Sequence, residues 1–325
     1  MRFFKSEAGA IVLWLVGALL GAALLMPVLY DAGKGLAESA KVNEYSPVVE
    51  RLAYSADWAK PDRFFSRALL ISGMVLVPVL VARVRRIPLR RDAGRYRLRR
   101  LGWVRGLVHC GSGMLIGVVC LGVLGGVLYA SGAVIPTGAV IGGGDFFKKA
   151  VMPALGAGVI EELVFRGLIL GLWLRACSLG VAWVGSAVMF SFVHFLKPAA
   201  GVEIGDPRAW YAGFEMLGST LGTFRDPTFF VTEFLTLGLL GFMLAWCRTR
   251  TFALWLPIGL HAGLVLALKV FSLSGKIDVK SGLYPWLIGM DLKSGILPLV
   301  ALGVCFGGCV VAVRWLGRWQ GVGGR

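Results

Sequence analysis

The sequence predicts an all-α, polytopic membrane protein with about eight transmembrane helices in one bundle. Three observations predict it: 57% of the 325 residues are hydrophobic, only 16% are charged, and the mean hydropathy is +0.76. Soluble domains usually contain about 25% charged residues. A chain with this little charge has too few polar side chains to cover a large apolar core in water, so we expect the whole chain to form one membrane domain.

Apolar runs that are long enough to cross about 30 Å of hydrocarbon recur along the chain. The second and fifth runs are at the short end of the usual range, so seven helices is the alternative count. Glycine, with 46 residues, is frequent within these runs, which is typical of helices that pack closely in lipid. The eight predicted spans are Gly9–Tyr30, Ala68–Val84, Gly106–Ala130, Ala150–Leu174, Gly180–Phe195, Phe229–Cys247, Phe252–Phe271 and Gly295–Leu316.

The first predicted span follows Arg2 and Lys5, as the apolar part of a secretory signal would. It is longer than the apolar region of a typical signal and lacks a convincing cleavage site, so we predict an uncleaved anchor. The segment 31–67 after it mixes acids, bases and apolar residues at helical spacing. We expect it to form a pair of surface or interfacial helices on the outer side.

Charge placement predicts the orientation of the chain in the membrane. The loop 83–105 contains ten arginines and one acid, Asp92, and such a block is normally retained in the cytoplasm. With eight spans, both termini are then cytoplasmic, and we expect an integral protein of a bacterial inner membrane. Nucleic-acid binding is the alternative for this loop. Because the loop lies between two spans and has few aromatic residues, we predict anionic lipid, and no nucleic acid, as its partner.

Two adjacent acids, Glu161 and Glu162, lie in the fourth apolar run together with Arg166. Carboxylates in hydrocarbon are costly unless they are paired, protonated or set around water. Glu162 and Arg166 are four residues apart and share a helix face, whereas Glu161 and Arg166 diverge by about 140°. We therefore expect Arg166 to neutralise Glu162 and Glu161 to face a cavity as a general base. The alternative is a buried ion-pair network that only fixes helix packing.

Two of the three histidines, His194 and His261, lie inside later predicted spans. Each could be a packing residue, but both fall at the same middle depth of the bilayer as Glu161, so the three side chains can converge. Such a set suggests hydrolysis: Glu161, helped by His194, deprotonates a water molecule, and His261 donates a hydrogen bond to the oxyanion. The same three groups could instead bind zinc, although neither histidine lies in an HExxH helix.

Three motifs on three separate spans carry a family resemblance. They are Glu161-Glu162-x-x-x-Arg166, Phe190-x-x-x-His194 and the later His261. This order and spacing resembles the CPBP family of CAAX-protease and bacteriocin-processing intramembrane endopeptidases, also called Abi or type II CAAX prenyl proteases. The resemblance covers about residues 149–271.

The resemblance implies an eight-helix bundle and a water molecule activated by glutamate. It implies Glu161 and His194 as the activating pair and His261 at the oxyanion, with Glu162, Arg166 and Phe190 in support. It favours a mechanism without a metal cofactor, with zinc at Glu161, His194 and His261 as the alternative. One position departs from the family pattern: Val265 stands where many relatives have an oxyanion-holding asparagine, one turn after His261.

On this basis we divide the chain into three segments. Residues 1–148 form N-terminal membrane helices, 149–271 a CPBP-like protease core, and 272–325 an outer loop and a final helix. We expect a membrane protein or peptide as substrate, cut at a C-terminal tail, a sorting signal or a CAAX-like motif. Long outer segments suggest that the site opens outward.

Two other functions remain open. A transporter could use the buried glutamates and histidines as a proton relay, and a catalytically silent scaffold would fit Val265. Glu233, an acid in the sixth predicted span, is expected to lie near the outer interface, with the lining of the cavity as the alternative.

Overall fold

The computed structural model of the protein describes residues 7–86, 94–138, 142–196, 198, 201–222 and 227–319. This part of the chain is mostly helical with almost no strand, which confirms the predicted all-α class. The elements are α1 Glu7–Ser39, α2 Pro47–Asp57, α3 Pro61–Arg85, α4 Trp103–Ala130, β1 Val134–Pro136, α5 Gly143–Phe146, a π-helical turn Phe147–Val151, α6 Met152–Glu162, a second π-helical turn Leu163–Ile169, α7 Leu170–Ala176, α8 Leu179–His194, α9 Ala212–Gly222, α10 Pro227–Thr251, α11 Trp255–Ser274, β2 Gly275–Ile277 and α12 Ile296–Trp319.

Five helices of the described chain are long and apolar enough to cross a membrane. They coincide with the first, second, third, seventh and eighth predicted spans, and α8 is a shorter apolar helix. The membrane class is therefore confirmed, whereas the count of eight stays a prediction. The five helices cover Gly9–Ser39, Pro61–Arg85, Trp103–Ala130, Trp255–Ser274 and Ile296–Gly317.

The chain divides into two compact units. The first unit comprises residues 1–88 and 193–225, and the second comprises residues 89–192 and 226–325. The three segments 1–148, 149–271 and 272–325 were defined by sequence motifs and not by compact units, and this division stays a prediction.

The first unit is built around α1, which packs against α2, α3 and α9. Its core contains Met26, Phe65 and Met216, all fully buried. The predicted outer segment 31–67 contains only one separate surface helix, α2, because α1 continues to Ser39 and α3 already begins at Pro61.

The second unit is centred on α11, which packs closely against α4. Glycines on both helices bring the two backbones together: a Cβ atom at Gly259 or Gly263 would overlap the carbonyl oxygen of Cys110 or Met114. On α4, a Cβ atom at Gly117 would lie 2.6 Å from the carbonyl oxygen of Leu260. Small residues four apart are the usual means of close helix contact in lipid, so the predicted role of glycine in packing is confirmed at this interface.

A short antiparallel sheet joins the ends of these two helices. Strands β1 and β2 pair with Ile135 opposite Lys276. The ladder is extended by the amides of Thr137 and Asp278, which donate to the carbonyl groups of Ser274 and Ala133 at 2.9 Å each. This sheet was not predicted from the sequence, since strands of three residues leave no periodic signal.

The fourth predicted span is not one regular α-helix. Residues 147–176 form a continuous helical path with two π-helical turns, and α6 lies between them. π-Helical turns are rare and often occur at functional sites. The second turn, Leu163–Ile169, directly follows the acid pair and contains Arg166.

Candidate active site

The last turn of α6 carries the two acids and faces α11. The two helices approach closely because Gly158 has no side chain: a Cβ atom there would lie 2.9 Å from the Cβ atom of Ala262 and 2.9 Å from the carbonyl oxygen of Ile258. Glu161 and Glu162 follow Gly158 by about one turn, and His261 lies beside Ala262. The close contact therefore sets the carboxylates against the imidazole.

Glu162 and Arg166 form a buried ion pair. Arg166 Nη1 donates to Glu162 Oε1 at 2.8 Å, and the two side chains are 2% and 0% exposed. Arg166 Nη2 also donates to the carbonyl oxygen of Gly241 in α10, at 3.2 Å. A buried charge is tolerated only when it is paired and hydrogen-bonded, and this pair meets both conditions. The pairing expected from the spacing of four residues is present.

The ring of Phe190 packs against the ion pair and two neighbouring rings. It lies under the Arg166 guanidinium, with 4.3 Å between the guanidinium carbon and the ring centroid. It also meets the rings of Phe165 and His261 edge to face, with centroid distances of 5.0 and 5.9 Å. Phe190 is fully buried, so it excludes water from the arginine while cation–π attraction helps to hold the charge.

His261 bridges the two acids. Its Nδ1 atom lies 2.9 Å from Glu162 Oε1, and its Nε2 atom lies 3.9 Å from Glu161 Oε2. Because the oxygen of an ionised carboxylate only accepts hydrogen bonds, Nδ1 carries a proton and donates to Glu162. This contact fixes the orientation of the ring and directs Nε2 toward Glu161.

The two neighbouring acids have different surroundings. The Glu161 side chain is 33% exposed, whereas that of Glu162 is completely buried. Glu161 is the more exposed of the two acids, as expected from its predicted place at a cavity. The divergence of 140° predicted between Glu161 and Arg166 assumed a regular α-helix, and residues 163–169 are not one. A π-helical turn advances by fewer degrees per residue than an α-helix, because its hydrogen bonds run to the fifth residue instead of the fourth. Both acids, which end α6 before this turn begins, lie within 4 Å of His261.

His194 is the last residue of α8, and its side chain is exposed. It belongs to the first compact unit, whereas Glu161, Glu162, Arg166 and His261 belong to the second. Its predicted contribution to water activation stays a prediction.

Sequence reasoning missed two contacts that hold the site. It did not predict that Glu162 Oε1 would accept hydrogen bonds from both Arg166 and His261, nor that Gly241 would accept from Arg166. No local sequence signal could have found these contacts, because the glycines that flank His261 at positions 259 and 263 face α4 and not α6.

The donor atoms near Glu161 bear on the alternative of a zinc site. In the part of the chain that the structure describes, no group of three or more His, Cys, Asp or Glu side chains is arranged to hold a metal ion. Glu162 Oε1 and His261 Nδ1 are hydrogen-bonded to each other, so neither atom is directed at a common metal position. A metal at this site would have to use Glu161 and the Nε2 atom of His261.

Glu233 lies in α10 beside a loop lysine. Lys293 forms an ion pair with Asp291, with 3.3 Å between Nζ and Oδ2. Burial alone would lower the pKa of Lys293, but the carboxylates of Asp291 and Glu233 more than offset burial and raise that pKa above its usual value. Glu233 therefore interacts electrostatically with the loop that precedes α12. Its predicted place near the outer interface stays a prediction.

The geometry and order of these side chains can be compared with known families. Residues 144–267 match the family model of Rce1-like type II CAAX prenyl endopeptidases. The match confirms the resemblance that the three motifs predicted, and it covers nearly the same residues. No curated protein and no solved structure gives a significant match to the chain.

The Rce1-like region contains every candidate site residue. It begins in α5 and ends in α11, so it includes both π-helical turns and the contact of α6 with α11. Helix α4 packs against α11 from outside this region. Val265 also lies within it, half-buried and one turn after His261.

Proposed function

We propose that the protein is an intramembrane endopeptidase that hydrolyses a peptide bond of a membrane-associated protein or peptide. The observation that carries the proposal is the buried set Arg166, Glu162 and His261, with the partly exposed Glu161 at its edge. The set lies within the region that matches the type II CAAX prenyl endopeptidases, which supports a protease rather than another membrane function.

In the proposed mechanism, Glu161 is the general base. Its carboxylate takes a proton from a water molecule, and the resulting hydroxide attacks the carbonyl carbon of the substrate. The tetrahedral intermediate carries its negative charge on the former carbonyl oxygen. Glu161 then gives its proton to the leaving nitrogen, and the C–N bond breaks. The products are a carboxylic acid and an amine, and the base is regenerated.

Glu162 and Arg166 are proposed as positioning residues. Glu162 holds His261 through Nδ1, and Arg166 donates to the same oxygen of Glu162 and so fixes the position of that carboxylate. His261 can donate to the oxyanion from Nε2 only when both ring nitrogens carry protons. Glu162 is the acceptor for Nδ1, and Nε2 lies 3.9 Å from Glu161 Oε2, so a substrate oxygen bound beside Glu161 would lie within reach of Nε2.

The proposed substrate is a membrane-tethered protein segment. A C-terminal tail, a sorting signal or a CAAX-like motif would all bring a peptide bond to the membrane surface. An isoprenyl or acyl anchor, or a neighbouring span of the substrate, would hold that bond near the site and supply binding energy remote from the reacting atoms.

The experiment compares the wild type with Glu161→Gln in liposomes, using a panel of membrane-tethered peptides with and without a strong chelator. Glu233→Gln is the matched control, because it removes one membrane-helix acid outside the proposed machinery. We expect cleavage by the wild type and by the control, loss of cleavage in Glu161→Gln, and no effect of the chelator.

Each other outcome has a defined meaning. Loss of activity with the chelator would replace the proposed glutamate mechanism with a metal at Glu161 and His261. No cleavage by a folded wild type, together with proton flux that depends on Glu161, would indicate a relay. No cleavage and no flux would indicate a scaffold, as Val265 allows.

A further inference from the structure

A row of arginines leads into α4. Between Gly94 and Arg105 the chain contains no acid, and five arginine side chains in this stretch are exposed. We call residues 94–105 the arginine segment. Its exposed arginines are Arg95, Arg97, Arg99, Arg100 and Arg105.

The arginine segment is held in place by the turn between α10 and α11. The amide of Arg99 donates to the carbonyl oxygen of Phe252 at 2.8 Å, and the Arg99 guanidinium lies over the Phe252 ring at 4.6 Å. The buried Arg248 donates to the carbonyl oxygen of Tyr96. Within the segment, these contacts use backbone groups and only the guanidinium of Arg99, so they fix the path of the segment while its other charged side chains stay available.

The segment lies where a membrane span begins. Helix α4 is one of the five candidate spans and starts at Trp103. Trp103, Val104 and Leu107 are 77%, 71% and 61% exposed, an exposure expected of side chains that face lipid. A concavity of about 400 Å³ is lined by residues 102–105, between the charged and the apolar parts.

We propose that the arginine segment is a binding site for an anionic phospholipid. The phosphodiester lies at Arg100 and Arg105, and an acyl chain follows the exposed side of α4 along Val104 and Leu107. Guanidinium groups match phosphate in charge and in hydrogen-bond geometry. The apolar stripe that starts directly after them excludes a soluble phosphate as the natural occupant, because only a lipid satisfies both halves of the site.

The site differs from a general attraction of basic residues to the membrane. Arginines near a membrane surface each contribute about 1 kcal/mol to the attraction to anionic lipid, wherever they lie. A built site predicts more than this: it predicts that particular arginines matter and that others of equal exposure do not. Arg85 and Arg86, exposed at the end of α3, provide the matched comparison.

The test uses the purified full-length protein in detergent after removal of native lipid. Phosphatidylglycerol or phosphatidylcholine is added, and bound lipid is counted by native mass spectrometry. We expect the wild type to retain phosphatidylglycerol, and Arg100→Gln/Arg105→Gln to bind it about 30-fold more weakly. Arg85→Gln/Arg86→Gln should bind it as the wild type does, and phosphatidylcholine should bind weakly to all three proteins.

A second measurement locates the lipid. Brominated phosphatidylglycerol quenches tryptophan fluorescence on contact, and the difference in quenching between the wild type and Trp103→Phe reports Trp103 alone. We expect this difference to be large with brominated phosphatidylglycerol and small with the brominated phosphatidylcholine.

Three results would overturn the proposal. Equal binding of phosphatidylglycerol and phosphatidylcholine would show that the site does not recognise the lipid charge. An equal loss of phosphatidylglycerol binding in Arg85→Gln/Arg86→Gln would show only a general attraction of basic residues to anionic lipid. Displacement of the lipid by soluble glycerol phosphate at comparable concentration would show that the apolar stripe takes no part. The test does not involve peptide cleavage, so its outcome is independent of the proposed protease activity.

Discussion

Nδ1 of His261 lies 2.9 Å from Oε1 of Glu162, the same oxygen that accepts the hydrogen bond from Arg166. The imidazole is therefore oriented by the acid that is completely buried, and not by the one proposed to activate water. This relationship separates a positioning acid from a reacting acid although the two are neighbours in the chain. The separation leads to different expectations for substitutions at the two positions.

Glu162→Gln should destabilise the protein more than Glu161→Gln. The first change leaves the Arg166 charge buried without its counter-charge, which typically costs about 3 to 5 kcal/mol. The second changes a side chain that is one-third exposed. Thermal unfolding in detergent should show a clear decrease for Glu162→Gln and little change for Glu161→Gln, although both variants lose cleavage.

The double variant Glu162→Gln/Arg166→Met is the control for that explanation. Removal of both charges eliminates the unpaired group, so the double variant should be more stable than the sum of the two single losses predicts. Additive losses would show that the two side chains stabilise the fold separately.

Val265→Asn should increase the cleavage rate. The asparagine would restore a hydrogen-bond donor one turn after His261, and one oxyanion donor typically contributes about 10² to 10³ in rate. Single-turnover measurements on a saturating substrate would detect the change in the chemical step. Val265→Leu is the control, because it adds volume without a donor. An unchanged rate in Val265→Asn would indicate that another group already occupies the donor position.

Gly259→Ala should weaken the contact of α11 with α4. The added Cβ would overlap the Cys110 carbonyl oxygen, so one helix must move and carry His261 with it. We expect lower thermal stability and lower activity. Gly122→Ala in α4 is the matched control, because nothing lies within 4 Å of a Cβ atom there. Equal effects of the two substitutions would contradict a specific packing role.

The loop before α12 should detach at high pH. The pKa of Lys293 in the folded protein is raised above its ordinary 10.5 by Asp291 and Glu233, in opposition to burial. A raised folded-state pKa contributes stability that is fully present below pH 10.5 and is lost as the pH rises through the folded value. Hydrogen exchange of residues 286–295 should therefore accelerate above about pH 10.5 beyond the intrinsic rate.

Lys293→Gln serves as the reference for this pH dependence. The variant has no titrating group at the position, so its loop should exchange faster than the wild type at neutral pH and show no added acceleration at high pH. The same acceleration in both proteins would assign the transition to another group.

Much of the fold and of the candidate site followed from the sequence because apolar length and residue spacing are local properties. The five candidate spans coincide with apolar runs that the sequence shows directly, and the Glu162–Arg166 pair followed from a spacing of four. The extension of α1 to Ser39 was missed, because its last turns are polar and continue beyond the apolar run.

The parts that the sequence did not predict depend on contacts between distant residues. Gly241 is 75 residues from Arg166, and His261 is 99 residues from Glu162, so no local pattern links them. The π-helical turn after Glu162 was also missed, since the apolar residues around it fit regular α-helical spacing equally well. Its position depends on how Arg166 reaches both Glu162 and Gly241.

That turn also bears on how the two acids came to differ. A π-helical turn contains one more residue than the α-helical turn it replaces. Deletion of one residue between Glu162 and Arg166 would place the arginine four positions after Glu161 and three after Glu162. The arginine could then pair with the acid that is now partly exposed. One additional residue in this turn is thus enough to determine which of the two glutamates pairs with Arg166 and which stays unpaired with it and partly exposed.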